Sequence, residues 1–142
     1  MKRRSAIVLV QDGRVALIRR RRPDAVYYLF PGGGVEEGET DEAAASREAR
    51  EELGVDVRVG RLLGTVTGDE STQLYFDAEI TGGEFGTGTG EELASSAVSD
   101  RGSYEPVWMS VTQLAAHDVR PWDLAKVLAE GRLPDHPLEF VG

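Results

Sequence analysis

The chain has 142 residues, of which 40% are hydrophobic and 29% charged, as is typical of one globular domain. The net charge at pH 7 is −9 although residues 1–22 hold eight Lys and Arg against one Asp, so the rest of the chain is strongly acidic. An acidic body argues against binding a nucleic acid polymer through its phosphate backbone. The absence of cysteine excludes disulfides, thiolate zinc sites and a cysteine nucleophile. Because only two histidines are present, any metal is expected to be bound by oxygen ligands, as Mg²⁺ and Mn²⁺ are.

No segment has the features of a membrane span or a signal peptide. No apolar run approaches the roughly 20 residues that a bilayer-spanning helix needs. The apolar stretch that follows the basic start, residues 6–10, is too short for a signal-peptide core. We therefore expect a cytoplasmic protein without a membrane partner, folded as a single domain over residues 1–142.

The first third of the chain has the pattern of short strands. Residues 5–11 and 15–18 are apolar and β-prone, and the Asp-Gly pair at residues 12–13 between them is a strong hairpin signal. Residues 27–30 predict a third strand that ends before proline and three glycines, residues 31–34. We expect those glycines to form a turn without side chains, whose backbone can approach a ligand.

The middle of the chain predicts a helix followed by two strands. Residues 40–53 contain neither proline nor glycine, have acids in the first turn and are followed by Gly54, all of which favour a helix. Strands are expected over residues 55–66 and 73–80, and the glycine-rich residues 82–90 predict a loop.

The last third predicts one more strand and two helices. Residues 104–109 form the strand, and residues 110–113 have the form of a capping box that opens a helix. Pro121 is expected to begin a second helix, which Gly131 ends, and the tail from residue 132 is expected to lie on the surface or pair with a sheet edge. Helices interleaved with strands predict an α/β or α+β sandwich with a mixed β-sheet.

Three glutamates share one face of the predicted central helix. Glu48, Glu51 and Glu52 are spaced i, i+3 and i+4, and they repel each other unless a positive charge, most effectively a divalent cation, lies over them. The alternative is a solvated helix with surface ion pairs, such as Arg47 with Glu51. The glycines and further acids that precede the helix favour the metal.

This segment resembles a known family signature. Gly33, Glu39 and the run from Arg47 to Val55 match the Nudix box G-x5-E-x7-R-E-U-x-E-E-x-G-U, residues 33–55, at every position, with Ala49 where a bulkier aliphatic residue is usual. The Leu-Phe-Pro-Gly-Gly sequence before the box also resembles the family, as does the Tyr-Glu-Pro-Val-Trp sequence at residues 104–108.

The resemblance implies a Nudix-type α/β/α sandwich that hydrolyses a nucleoside diphosphate linked to another moiety, with Mg²⁺ or Mn²⁺ as cofactor. Its partner would be a small-molecule nucleotide, and members of this fold often form homodimers. The alternative is a catalytically silent Nudix-fold module that binds nucleotide. The implied metal ligands are Glu48, Glu51 and Glu52, completed or supported by Glu39 and the Gly32 carbonyl, with Arg47 orienting the acids chiefly through Glu51. The general base stays open between the helical Glu51 and Glu52 and the loop residues Glu91 and Glu92.

Candidate substrate contacts lie outside the acidic helix face. Arg19 and Arg21 have the charge to hold terminal phosphates, Tyr28 has a ring that can stack on a base, and Gly33 allows close approach of the backbone. The ordinary alternatives are a solvated hairpin edge for the arginines and a core position for the tyrosine. The absence of proline between Val55 and Glu105 argues against an ADP-ribose substrate.

Overall fold

A computed structural model describes residues 2–88, 103–131, 133 and 135–141 of the chain. The predicted hairpin is confirmed: β1, Lys2–Gln11, and β2, Arg14–Arg22, are joined through Asp12 and Gly13. Both linking residues have positive φ, at 54° and 75°, which is the geometry that matches the twist of the two strands.

The remaining elements follow the predicted order, with two additional short strands. Residues 25–83 form four strands, one of them made only of glycine, and one helix. In chain order these are β3 (Ala25–Leu29), the glycine strand β4 (Gly32–Gly34), α1 (Asp41–Leu53), β5 (Val55–Thr67) and β6 (Ser71–Gly83). The later elements are Ser103–Ser110 (β7), a 3-10 helix at Val111–Ala116, Val119–Arg120 (β8), Trp122–Ala129 (α2) and Leu138–Val141 (β9).

Two local predictions are corrected. The glycine segment is not a free turn, because Gly32–Gly34 pairs as an antiparallel strand with β1, opposite Ala6 to Arg4. The predicted capping box does not form: Ser110 makes no side-chain cap hydrogen bond, and its hydroxyl lies 2.9 Å from that of Thr112 instead. The helix after Ser110 is accordingly a short 3-10 helix, a form that is common in connecting segments.

The strands of the described chain form a mixed sheet in the order β8-β3-β2-β1-β6-β5-β9, with β4 paired to β1 and β7 paired to β2. β1 runs parallel to β6, with Lys2 opposite Ser71 and Leu9 opposite Ala78. The tail pairs with an edge, since β9 runs parallel to the outer side of β5. The predicted mixed sheet is therefore confirmed.

Helices cover both faces of this sheet, because its strands alternate their apolar side chains. On one face, Ala45, Ala49 and Leu53 of α1 pack against a cluster that includes Ile7 and Leu9 of β1. On the other face, Val8 belongs to the cluster that contains Leu114 of the 3-10 helix and Leu124 and Leu128 of α2. Each fully buried aliphatic side chain contributes about 1.5–3 kcal/mol. The result is the predicted α/β/α sandwich.

No helix in the described ranges is long and apolar enough to cross a lipid bilayer.

Candidate active site

The helix α1 carries the predicted acids and has well-defined ends. The Thr40 side chain accepts a hydrogen bond from the Ala43 amide at 3.0 Å, and Gly54, with φ of 80°, ends the helix by donating its amide to the Arg50 carbonyl. Glu48 and Glu52 are only 8% and 5% exposed, although ionisable side chains are rarely buried. The helix therefore holds two carboxylates against the sheet.

The backbone of β4 contacts both buried carboxylates. Glu52 Oε1 accepts a hydrogen bond from the Gly32 amide at 2.9 Å. The carboxylate of Glu48 lies directly against Gly33, so that a Cβ added at Gly33 would overlap with it. The absence of side chains thus allows two close contacts, that of Gly32 with β1 and that of Gly33 with an acid of α1.

Arg47 connects the acids of this cluster. Its Nε and Nη2 bind the two carboxylate oxygens of Glu39 at 2.8 and 3.1 Å, and its Nη1 lies 3.0 Å from Glu48 and 3.1 Å from Glu51. Nη2 also donates to the Gly34 carbonyl at 2.8 Å. The sequence predicted an arginine acting chiefly through Glu51, whereas in the structure the bidentate partner is Glu39.

These contacts stabilise the ionised forms of Glu39 and Arg47. The hydrogen bond from Arg47, helped by the Glu36 amide, lowers the pKa of Glu39 to about 2. The same hydrogen bond to Glu39, with the charges of Glu48 and Glu39, raises the pKa of the Arg47 guanidinium. One guanidinium lies within 4 Å of four carboxyl groups, so acidic side chains outnumber the cation; they belong to Glu36, Glu39, Glu48 and Glu51.

The donor set of this cluster suits a hard divalent cation, since it consists of carboxylate oxygens beside a glycine backbone. In the described ranges, no three His, Cys, Asp or Glu side chains already converge on one point. Glu48 and Glu51 are turned toward Arg47, and the Glu51 side chain is 45% exposed. Cation binding by these residues would therefore require Glu51 to turn toward Glu48 and Glu52.

A cavity of about 240 Å³ adjoins the acids at Glu52. Gly32 and Gly33 form part of its wall together with Glu52. The other polar side chains in its wall come from several strands; they are Arg4, Ser5, Gln73, Tyr75, Tyr104 and Arg120.

The structure does not bring Arg19, Arg21 or Tyr28 to this cavity. Ile18 lines the cavity, and because side chains alternate along a strand, Arg19 and Arg21 point to the opposite face of the sheet. Arg19 is bound there by Glu105, and Tyr28 packs edge-on against His117 with 5.6 Å between ring centroids. The predicted loop acids Glu91 and Glu92 lie outside the described residues.

The arginine on the cavity side of β2 is Arg20. It is 6% exposed, its guanidinium lies 3.8 Å from the ring centroid of Tyr104, and its Nη1 has no hydrogen-bond partner in the described structure. In the sequence, only the alternation of side-chain direction along a strand separates Arg20 from Arg19 and Arg21. The wall residues Arg4 and Gln73 were missed because they meet only through the parallel pairing of β1 with β6.

Comparison with known proteins identifies the family. The family model for the NUDIX domain matches residues 1–130. The chain belongs to the Nudix family. Among solved structures, a NUDIX hydrolase from Nitrosomonas europaea superposes with a TM-score of 0.71 over 99% of this chain and 79% of its own, at 17% sequence identity. That likeness shows the Nudix fold.

Curated relatives of the Nudix chain have several activities. An ADP-ribose pyrophosphatase of Methanocaldococcus jannaschii is 33% identical over 88 residues, 57% of this chain and 52% of the relative. An 8-oxo-(d)GTP phosphatase of Mycolicibacterium smegmatis is 41% identical over 75 residues, 50% of this chain and 23% of the relative. The chain thus spans about half of the first relative and less than a quarter of the second.

Proposed function

We propose that this Nudix protein is a metal-dependent pyrophosphohydrolase that cleaves the phosphoric anhydride bond of a nucleoside diphosphate linked to another moiety. The observation that carries the proposal is the burial of two carboxylate side chains, Glu48 and Glu52, against the glycines of β4, with Glu52 in the wall of a cavity. Carboxylate oxygens grouped beside a glycine backbone are the ligands that a hard divalent cation prefers. The names of the relatives, which include a pyrophosphatase and a phosphatase, support the same reaction class.

In this proposal, Glu48, Glu51 and Glu52 hold Mg²⁺ or Mn²⁺, with the Gly32 carbonyl and Glu39 completing or supporting the ligand set. The bound cations supply charge neutralisation at the phosphates and a lowered pKa for water. Arg47 fixes Glu39 and donates hydrogen bonds to Glu48 and Glu51, which holds these three acids close together.

The general base in the proposal is either an acid of α1, Glu51 or Glu52, or one of Glu91 and Glu92. Loss of a base that does not bind metal would lower the single-turnover rate and leave Mn²⁺ affinity nearly unchanged, whereas loss of Glu52 would weaken both. Single-turnover rates and Mn²⁺ affinities of Glu91→Gln, Glu92→Gln and Glu52→Gln separate these cases. If both loop variants turn over like the wild type, the base belongs to the helix.

The reaction class is tested with a panel of dNTPs, nucleoside diphosphate sugars, dinucleotides and oxidised nucleotides. Release of phosphate or pyrophosphate is followed with Mg²⁺ or Mn²⁺ and with EDTA. We expect metal-dependent turnover of at least one compound. Nucleotide binding without turnover of any compound would overturn the proposal and favour the catalytically silent module. The homodimer and the cytoplasmic location remain predictions, and light scattering after size-exclusion chromatography tests the former.

A further inference from the structure

Two hydrogen-bond donors adjoin each other in the wall of the cavity. Arg4 of β1 lies opposite Gln73 of β6 in the parallel pairing, and both line the cavity that Glu52 closes on another side. Tyr75, two residues further along β6, donates its hydroxyl to Gln73 Oε1 at 2.8 Å. That bond orients the amide oxygen toward Tyr75 and leaves the amide nitrogen of Gln73 as a donor for a ligand.

Arg4 is also available to a ligand. It is exposed, and it makes no ion pair with any residue in the described ranges. The other arginine of the wall is occupied: Arg120 binds both carboxylate oxygens of Asp118, at 3.2 and 3.0 Å, and stacks on Tyr27. Burial raises the pKa of Tyr75 to about 12, although the charge of Arg4 acts in the opposite direction, so the Tyr75 hydroxyl keeps its proton at neutral pH.

The rest of the wall suits a flat ring better than a phosphate. Ile18, Leu29 and Phe30 contribute apolar surface, and Tyr104 contributes a ring that is held by the buried guanidinium of Arg20. The carboxylate of Glu52 in the same wall repels an anion that carries no metal. A heterocycle with acceptor atoms on its edge satisfies all of these groups.

We propose that this cavity binds the base of the nucleotide and that Arg4 and Gln73 select a 6-oxopurine of the guanine type. Arginine forms paired hydrogen bonds with guanine O6 and N7, both of which are acceptors. Adenine presents an amino group at the position of O6, so that donor would face donor. The inference rests on the proposed function only for its assumption that the ligand is a nucleotide.

The test measures binding and needs no hydrolysis. Isothermal titration of the full chain with GMP, IMP, AMP and UMP should show GMP and IMP binding about tenfold or more tightly than AMP, since IMP shares O6 and N7 with GMP. Arg4→Ala should remove most of that preference. Tyr75→Phe frees the Gln73 amide to rotate and accept from adenine, so it should relax the ratio of GMP to AMP affinity while retaining binding. Arg58→Ala is the matched control, because Arg58 is an exposed strand arginine paired with Glu79 away from the cavity.

Equal affinities for the four nucleotides, or a preference for GMP that survives in both Arg4→Ala and Gln73→Ala, would overturn the inference. Titration with pyrophosphate separates the two sources of acceptor oxygens: if Arg4→Ala weakens pyrophosphate and all nucleotides equally, Arg4 binds phosphate and base selection is wrong. Selective binding of GMP without any hydrolysis would overturn the proposed function alone. Hydrolysis that is indifferent to the base would overturn this inference alone.

Discussion

The positions of the Glu48 and Glu52 carboxylates depend on the neighbouring backbone of β4. Both residues are buried, and each carboxylate lies against β4: Glu52 accepts a hydrogen bond from the Gly32 amide, and Glu48 contacts Gly33. A hydrogen bond to a charged group is worth more than one between neutral groups. The positions of these carboxylates are therefore fixed by the protein itself.

At this scale, we expect Glu52→Gln to lower turnover by about 10²–10⁴-fold, the range typical of losing a catalytic acid-base or electrostatic contribution. The amide oxygen of the glutamine can still accept from Gly32, so the melting temperature should change little. Steady-state kinetics at saturating Mg²⁺ and circular dichroism check the two expectations. Glu42→Gln, an exposed acid in the first turn of the same helix, is the control, and turnover near that of the wild type would remove Glu52 from the site.

Tyr75 predicts a pH dependence of stability. Burial raises its pKa to about 12, against about 10 for an unfolded tyrosine. Because the folded state binds this proton more tightly, the contribution is fully present below pH 10 and is lost as the pH rises toward 12. Relative to Tyr75→Phe, the wild type should lose on the order of 2 kcal/mol over that range. Urea unfolding of both proteins between pH 8 and 11.5 measures this, and parallel profiles would contradict it.

At the scale of elements, the pairing of β4 with α1 is the unit that forms the site. β4 contains only glycine, and its three residues lie between β1 on one side and the acids of α1 on the other. A side chain at Gly33 would overlap with Glu48 of the helix, and one at Gly32 would overlap with β1.

Adjacent glycines of β4 provide a matched comparison. Gly33→Ala should lower the melting temperature and weaken Mn²⁺ binding, because its Cβ displaces the carboxylate of Glu48. Gly34→Ala should leave both nearly unchanged, since a Cβ there meets nothing within 4 Å. Thermal scans and Mn²⁺ titrations of the two variants measure the difference. Equal behaviour of the two would show that Glu48 relaxes without cost.

The sequence predicted the helix and its acids because their signals are local. The signals are Thr40, Gly54 and the spacing of the glutamates, which all lie within a few turns of the chain. In the structure the helix begins directly after Thr40 and ends directly before Gly54. The cavity could not be predicted in the same way, since Arg4 and Gln73 are brought together by strand register. The sequence could not show which arginine of residues 19–22 faces the cavity for a related reason: four identical residues have no alternation of polarity.

At the scale of the whole molecule, the acidic cluster links cation binding to stability. A cation that binds the folded state alone stabilises it by mass action, and here it also relieves repulsion among Glu39, Glu48, Glu51 and Glu52. We expect millimolar Mg²⁺ to raise the melting temperature above that in EDTA. The shift should disappear in a Glu48→Gln, Glu52→Gln double variant. Identical midpoints of the wild type in both buffers would mean that Arg47 alone compensates these acids.

The parallel pairing of β1 with β6 joins two segments that are far apart in the chain, and this affects folding. Lys2 pairs with Ser71, so the first strand of the chain finds this partner only after a long loop has closed, and such non-local pairings slow folding. The hairpin of β1 with β2 and the helix α1 need no such closure and can form early. Arg4 and Gln73 sit on the two late partners. A chain that has formed its hairpin and its acidic helix but has not yet joined β6 to β1 therefore lacks the cavity wall formed by Arg4 and Gln73.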